Sequence, residues 1–312
     1  MRREKRIMNI LNIRSVSKFY GKVRALHQVS FDVPKGSVFG VLGPNGSGKT
    51  TLLGILMDVL KPAAGDYSWF GEPPSASSRR KIGTLLETPN FYHYLSGEQN
   101  LRIAAAIKGR DRSDIPRVLE LVKLTERKHS KFSSYSLGMK QRLALASCLL
   151  GDPEVLVFDE PTNGLDPVGI AETRELIKQL AREGKTILLA SHLLDEVEKV
   201  CTHVAILQRG QLLTAGDVDV VLSNEDFIEV GAAASATDLQ SLLAGLPGVR
   251  QLKKQEEHVQ VFFDNGEIDP AAVNRYCFDR GVVLKHLQVR KKSLESKFME
   301  LTDDRNKNKS AI

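Results

Sequence analysis

The chain has 312 residues, 42% hydrophobic and 26% charged, which describes a soluble globular protein with room for two domains. Its 44 basic and 38 acidic side chains leave a net charge of +6 spread along the chain, and no basic block is dense enough to argue for nucleic acid. Three cysteines, Cys148, Cys201 and Cys277, are odd in number and far apart, which points to a reducing compartment with no disulfide framework; and no apolar run approaches the roughly 18 to 20 residues that span a bilayer, so any work at a membrane goes through a partner.

The opening residues are basic and then apolar, like a signal peptide, but Asn9, Asn12 and Arg14 interrupt them too early, and the stretch reads as a first strand. Ile10 to Val16 and Leu26 to Val33 are expected strands, and the period-2 alternation at Val29, Phe31 and Val33 suggests an antiparallel pair with one wet face. Lys18 to Lys22 reads as a turn between them and carries Tyr20. An aromatic ring there either packs on the sheet edge or stacks on a purine, and position alone leaves both open.

Ser37 to Leu42 is a short apolar strand that runs into Gly43-Pro44-Asn45-Gly46-Ser47-Gly48-Lys49-Thr50-Thr51. Glycines at a strand-to-helix turn let successive backbone N–H groups face an anion, and the helix starting near Lys49 adds its positive end. Lys49 would reach the β- and γ-phosphates as a point charge, and the Thr50 hydroxyl would sit on Mg²⁺.

A proline-containing polar stretch from Gly71 to Ser78 and a strand from Lys81 to Leu86 follow, and from about Ser96 to Leu150 the pattern is mostly helical. Within it Ser113 and Asp114 read as caps, Pro116 as a helix start, and Val118, Leu119, Leu121 and Val122 as an apolar stripe. Such an insertion in a strand-and-helix chain is a candidate subdomain. The alternating pattern returns with the strand Val155 to Phe158, the helix Ala171 to Glu183 and the strand Thr186 to Ala190, which implies a mostly parallel sheet. Ligands of such sheets bind at the carboxyl ends of the strands, where Gly43, Asp159 and His192 would lie. Asp159 would hold Mg²⁺ opposite Thr50, Glu160 would orient the attacking water as general base, and His192 would donate to the γ-phosphate. A lone histidine at a strand end is more often a capped or surface residue; three polar groups at strand ends beside a phosphate loop reverse that.

Over roughly residues 9 to 222 these features resemble the ATP-binding cassette family. Tyr20 matches its aromatic loop, Gly43 to Thr50 its phosphate loop, Val155 to Asp159 with Glu160 its magnesium strand and catalytic glutamate, Asn163 to Asp166 its D-loop, and His192 its switch histidine. The family's Leu-Ser-Gly-Gly-Gln signature is degenerate here, Tyr135-Ser136-Leu137-Gly138-Met139, ahead of a helix expected from Lys140 to Leu150. It keeps Ser136 and Gly138, which would contact the γ-phosphate. The resemblance implies an ATPase using ATP with Mg²⁺, and a second cassette, as homodimer or close heterodimer, whose signature completes each site. It also implies a separate transmembrane permease subunit that holds the chain on the cytoplasmic face of the membrane. Where most members carry glutamine, this chain has Glu87, as do exporter ATPases of the bacitracin-resistance and lantibiotic self-protection type; neutral drift from glutamine is the alternative. A groove between sheet and helical subdomain would receive the permease, and Phe91, Tyr92 and Tyr94 would either line it or pack locally.

Val204 to Gly216 reads as a closing hairpin around Arg209-Gly210. After it, strands at 227–230, 249–253, 258–263 and 282–289 and helices at 238–246 and 270–279 fit a small ferredoxin-like unit, with a last helix from Ser293 to Leu301. The expected organisation is α/β. Residues 1–222 form an ABC ATPase core of mixed sheet, antiparallel β subdomain and helical subdomain (about 88–150); residues 223–302 form an α+β accessory domain, and 303–312 a disordered tail. Two other functions fit the sequence less well. A soluble cassette ATPase acting on ribosomes or DNA would join two cassettes or carry long coiled coils, and a phosphate-loop kinase would leave Tyr135 to Gly138 unexplained.

Overall fold

A computed structural model describes residues 8–86, 90–222, 227–232, 239–255, 258–263, 269–290 and 293–307. The chain divides into two compact units, Met1–Asp217 and Val218–Ile312.

The first unit begins with two long antiparallel strands, β1 (Asn9–Tyr20) and β2 (Val23–Pro34), in which Val29, Phe31 and Val33 are buried and Ser30 is exposed. The expected turn at Lys18 to Lys22 is therefore mostly strand: Tyr20 pairs with Val23, and Gly21 (φ 57°) turns the chain. Next come β3 (Val38–Leu42), the phosphate-loop helix α1 (Lys49–Leu56) and β4 (Ala64–Trp69). β4 pairs antiparallel with β1 and completes a three-stranded sheet in the order β2-β1-β4.

A short α2 (Ala76–Arg80) leads to β5 (Ile82–Leu85), and the helical region holds α3 (Gly97–Lys108), α4 (Ile115–Leu121) and α5 (Leu137–Leu149). Asp114 occupies the N-cap position of α4, but its carboxylate caps nothing and accepts from Arg117 instead. α5 starts three residues earlier than expected, because the Ser136 hydroxyl accepts from the Met139 N–H and caps it. Then follow β6 (Val155–Asp159), α6 (Pro167–Arg182), β7 (Thr186–Ser191), α7 (Leu194–Glu198), β8 (His203–Gln208) and β9 (Gln211–Asp217). β5, β6, β7, β3 and β8 run parallel in that spatial order, and β9 closes the sheet antiparallel to β8. Every residue of β3, β6 and β7 is buried, as a parallel sheet covered on both faces requires.

The core joins the two sheets through α1: Leu52, Leu53, Ile55 and Leu56 pack with Ile13, Val29 and Trp69 on one side and with Val41, Val157 and Leu188 on the other. Trp69 is 1% exposed, and its Nε1–H donates to the Leu56 carbonyl at 2.9 Å, at the end of α1. The antiparallel sheet thus fixes the helix that carries the phosphate loop.

The second unit opens with α8 (Val218–Leu222) and continues β10 (Phe227–Ala232), α9 (Leu239–Ala244), β11 (Val249–Lys254), β12 (Val259–Phe263), α10 (Pro270–Phe278), β13 (Leu284–Arg290) and α11 (Leu294–Lys307). Its antiparallel sheet has the order β11-β12-β10-β13, so the βαββαβ run folds in the ferredoxin-like manner. Ile228, Val230, Val261 and Leu243 with Val273 form its core. The last helix runs to Lys307, so the first half of the expected disordered tail is helical; residues 308–312 lie outside the described residues. The three cysteines are free and buried.

Trp69→Phe leaves the Leu56 carbonyl without its donor and is expected to cost about 1–3 kcal/mol. Trp69→Ala also opens a cavity and is expected to cost about 3–5 kcal/mol, both read from denaturant midpoints at constant slope.

Candidate nucleotide site

The loop after β3 turns through three glycines with positive φ, Gly43 (154°), Gly46 (78°) and Gly48 (107°). Two of them have no room for a side chain: a Cβ at Gly43 would strike the Leu207 carbonyl and Ser47, and one at Gly48 would lie 2.6 Å from the Ala25 carbonyl. Gly46 has open space and needs glycine for its backbone alone. Gly48 is the N-cap of α1 and offers no side-chain cap, and the first turn of the helix carries no acidic residue, so its N–H groups face outward at the positive end. Pro44 and Asn45 are exposed on the loop's outer side, and Thr51 is half-buried behind Thr50 in α1.

Lys49 is 6% exposed; its Nζ donates to the Gly43 carbonyl at 2.8 Å and the Pro44 carbonyl at 3.3 Å, and lies 3.5 Å from Glu160 Oε1. The other oxygen of Glu160 is 2.9 Å from His192 Nδ1. A carboxylate only accepts, so Nδ1 carries the proton of that contact and Nε2 is left to face outward. Lys49, Glu160 and His192 are thereby assembled into one chain of contacts. The sheet register explains why: Asp159 lies opposite Ala190 in β7, and Leu42 opposite Ser191, so β6, β7 and β3 end level. Glu160 adopts φ 48°, with its N–H donating to the Ala190 carbonyl, which turns the carboxylate out of the strand line.

A phosphate-bearing ligand with its metal fits these groups. Ser47 Oγ is buried without a partner in the loop, Thr50 is exposed at the head of α1, and Asp159 is a buried carboxylate. Hydroxyl and carboxylate oxygens are the hard donors that Mg²⁺ takes. Tyr20 is 48% exposed on the β1–β2 hairpin, and β2 passes the loop at Ala25, against Gly48. Glu87 lies outside the described residues.

Ser136 and Gly138 stand elsewhere. With Arg142, Gly164 and Asp166 they line a separate cavity of about 330 Å³ that includes no residue of the phosphate loop. Asp166 caps α6 through the Gly169 N–H, and Gly164 (φ 73°) packs beneath Leu137, so the segments 163–166 and 135–139 form one surface. Two supports are absent from the sequence reading. The Gly210 N–H donates to the Ser47 carbonyl at 2.9 Å and braces the loop from the β8–β9 turn; Gln141 Nε2 donates to the Pro161 carbonyl at 3.0 Å and ties α5 to the segment after Glu160. A conspicuous Arg209-Gly210 turn was the available signal for the first.

A family model described as "ABC transporter" matches residues 26–163. The chain is 39% identical over 306 residues, 95% of its length, to the uncharacterized ABC transporter ATP-binding protein YhcH of Bacillus subtilis (strain 168), covering 96% of that protein. It is 42% identical over 209 residues to the bacitracin transport ATP-binding protein BcrA of Bacillus licheniformis, which spans 65% of this chain and 68% of that one. A solved ATP binding subunit of an ABC transporter superposes with a TM-score of 0.62 at 30% identity, over 68% of this chain and 91% of the other.

Lys49→Ala removes a charge-assisted donor worth about 1.5–3 kcal/mol and is expected to weaken ATP binding about 10- to 100-fold in an equilibrium titration. Glu160→Gln keeps the shape and removes the charge of the carboxylate shared by Lys49 and His192, and kcat is expected to fall about 100- to 10,000-fold while the ATP affinity stays within a few-fold.

Proposed function

The chain belongs to the ABC transporter family, as an ATP-hydrolysing, ATP-binding subunit, and from that premise we propose that it powers an exporter whose path through the membrane is a separate permease. The observation that carries this reading is a groove of about 780 Å³ between the end of β5 and the helices α3 and α5. Phe91 and Tyr92 line it beside Ile103 and Ile107, while Tyr94, 69% exposed, stands outside its lining. Asn100 is buried and holds this wall: its side chain accepts from the Tyr92 N–H at 2.8 Å and donates to the carbonyls of Tyr92 and Ser96. A groove of mixed lining, in which Phe91 and Ile103 stand beside Asn90, His93 and Lys108, suits a short amphipathic helix. Among the described residues no helix is long and apolar enough to cross a membrane. In this reading the groove receives the membrane-spanning partner, which holds the chain at the cytoplasmic face. The export direction draws on the similarity to the bacitracin transport protein and on Glu87.

In the proposed reaction, phosphate oxygens replace the Gly43 and Pro44 carbonyls around Lys49 Nζ, and the loop's N–H groups hold the β- and γ-phosphates. Glu160 polarises a water whose oxygen bonds to the γ-phosphorus as the bond to the bridging oxygen breaks, leaving ADP and phosphate. His192 holds the Glu160 carboxylate through Nδ1–H, and in its imidazolium form Nε2–H donates to the γ-phosphate. Thr50 and Asp159 would hold Mg²⁺, which supplies neutralisation of phosphate charge. Tyr20 would stack on the adenine. Because Ser136 and Gly138 lie apart from the loop, they would serve the site of a second cassette across a dimer interface that includes the exposed Leu137 and Val168. Loss of the γ-phosphate would then release the two halves.

Tagging the chain in its host and extracting it in mild detergent with Mg-ATP is expected to bring down a polytopic membrane protein at matching stoichiometry. Ribosomes, DNA or no partner would overturn the reading. Glu87→Gln is expected to change the ATPase rate or its coupling to transport, measured in reconstituted vesicles; unchanged values in both would remove Glu87 from the account.

A further inference from the structure

A second cavity, of about 340 Å³, shares Thr84, Ile107, Lys108 and Cys148 with the groove, so the two meet at the C-terminal end of α3. Arg79, Arg80, Lys108 and Arg110 line it, and no described residue lining either cavity is a carboxylate. Two of these charges have local duties. Arg79 pairs with Asp58 at 2.6 Å, and the Arg110 guanidinium donates to the Arg80 carbonyl.

Lys108 has no such counter-charge. Its Nζ donates to the Ser147 carbonyl at 2.6 Å and lies 3.4 Å from Ser147 Oγ, both neutral acceptors. Burial pushes its pKa below the ordinary lysine value; the negative charge that a Cys148 thiolate would supply opposes this, and Arg110 adds to it. Cys148 cannot act as that counter-charge near neutral pH, because burial pushes its thiol up to about 11 and its Sγ–H donates to the Thr84 carbonyl. One residue earlier, Ile107 is 82% exposed, an apolar side chain on the rim shared by both cavities. A desolvated cation beside an uncovered apolar rim is costly for the chain alone and is relieved by an occupant of opposite charge.

We propose that the segment seated in this groove is a short amphipathic helix of the membrane partner, whose apolar face covers Ile103 and Ile107 and whose carboxylate pairs with Lys108. The inference rests on the docking reading above and names the chemistry of what docks. Side chains three or four positions apart on a helix lie on one face, so an apolar residue and an Asp or Glu at that spacing reach Ile107 and Lys108 together. Arg80 and Arg110 extend the same positive field along the helix path.

The test uses the full chain with the membrane protein it copurifies. Lys108→Met, which keeps the aliphatic stem, is expected to weaken the complex at least about 30-fold, Lys108→Arg to retain most of it, and Lys108→Glu to abolish it. Replacing one Asp or Glu in a cytoplasmic loop of the partner by Lys is expected to restore binding to the Lys108→Glu chain. Thermal unfolding, with and without ATP, shows that each variant is folded, and Lys108→Met carries the test if Lys108→Glu is not. If the partner binds the wild type and both the Met and Glu variants equally, this inference falls and the docking reading stands. If the wild type brings down no membrane protein, the docking reading itself falls. If no partner reversal rescues Lys108→Glu, and wild-type binding to phosphatidylserine vesicles is lost in Lys108→Met, the cation serves a lipid headgroup and the proposal is overturned.

Discussion

A loop can turn several N–H groups toward one anion only if its outward carbonyls and its bends are held from outside. Here the hold comes from two neighbouring strands. The Ala25 carbonyl of β2 sits against Gly48, the Leu207 carbonyl of β8 sits against Gly43, and the Gly210 N–H takes the Ser47 carbonyl while its own carbonyl accepts from the His27 N–H at 2.7 Å. The loop is thus clamped between the antiparallel sheet and the last hairpin of the parallel one. Any side chain at Gly43 or Gly48 would have to push backbone aside, which is why those positions tolerate only glycine.

The same level ending of strands that seats the loop also arranges its polar partners. Lys49 is a buried cation that carries two carbonyls and a carboxylate around its ammonium, and that carboxylate is shared with a histidine from the intervening strand. The left-handed backbone of Glu160 is the cost of aiming that carboxylate sideways. Charge, strain and open space are therefore concentrated at the carboxyl ends of strands whose buried residues are mostly apolar.

How much of this is legible in the sequence depends on how local the cause is. Gly43 to Thr50 and the apolar runs of β3, β6 and β7 carry their own signals, since a turn with positive φ and a strand buried on both faces constrain composition directly. β4 does not: Ala-Gly-Asp-Tyr-Ser-Trp has little apolar alternation, and it becomes a strand because it pairs with β1 and buries Tyr67 and Trp69. α5 starts at Leu137 and not at Lys140 because Ser136, which reads as a ligand contact, also caps the helix. Gly210 acts through a partner 163 positions away, beyond any window of sequence, and Asn100, only eight positions from Tyr92, bonds to backbone groups that leave no mark in the residue pattern. Lys108 closes a helix, where a lysine is ordinary; its isolation is visible only once Ser147 and Cys148 of α5 are packed against it.

The three thiols are buried in three different settings, Cys148 in the floor of the groove, Cys201 after α7 and Cys277 in the core of the second unit, and burial raises the pKa of each. A thiol must ionise and be reached before it reacts. The folded chain is therefore its own blank for maleimide chemistry: a single cysteine introduced on an exposed rim can carry a fluorophore or spin label without first removing the native ones. Label appearing at the native positions then reports unfolding.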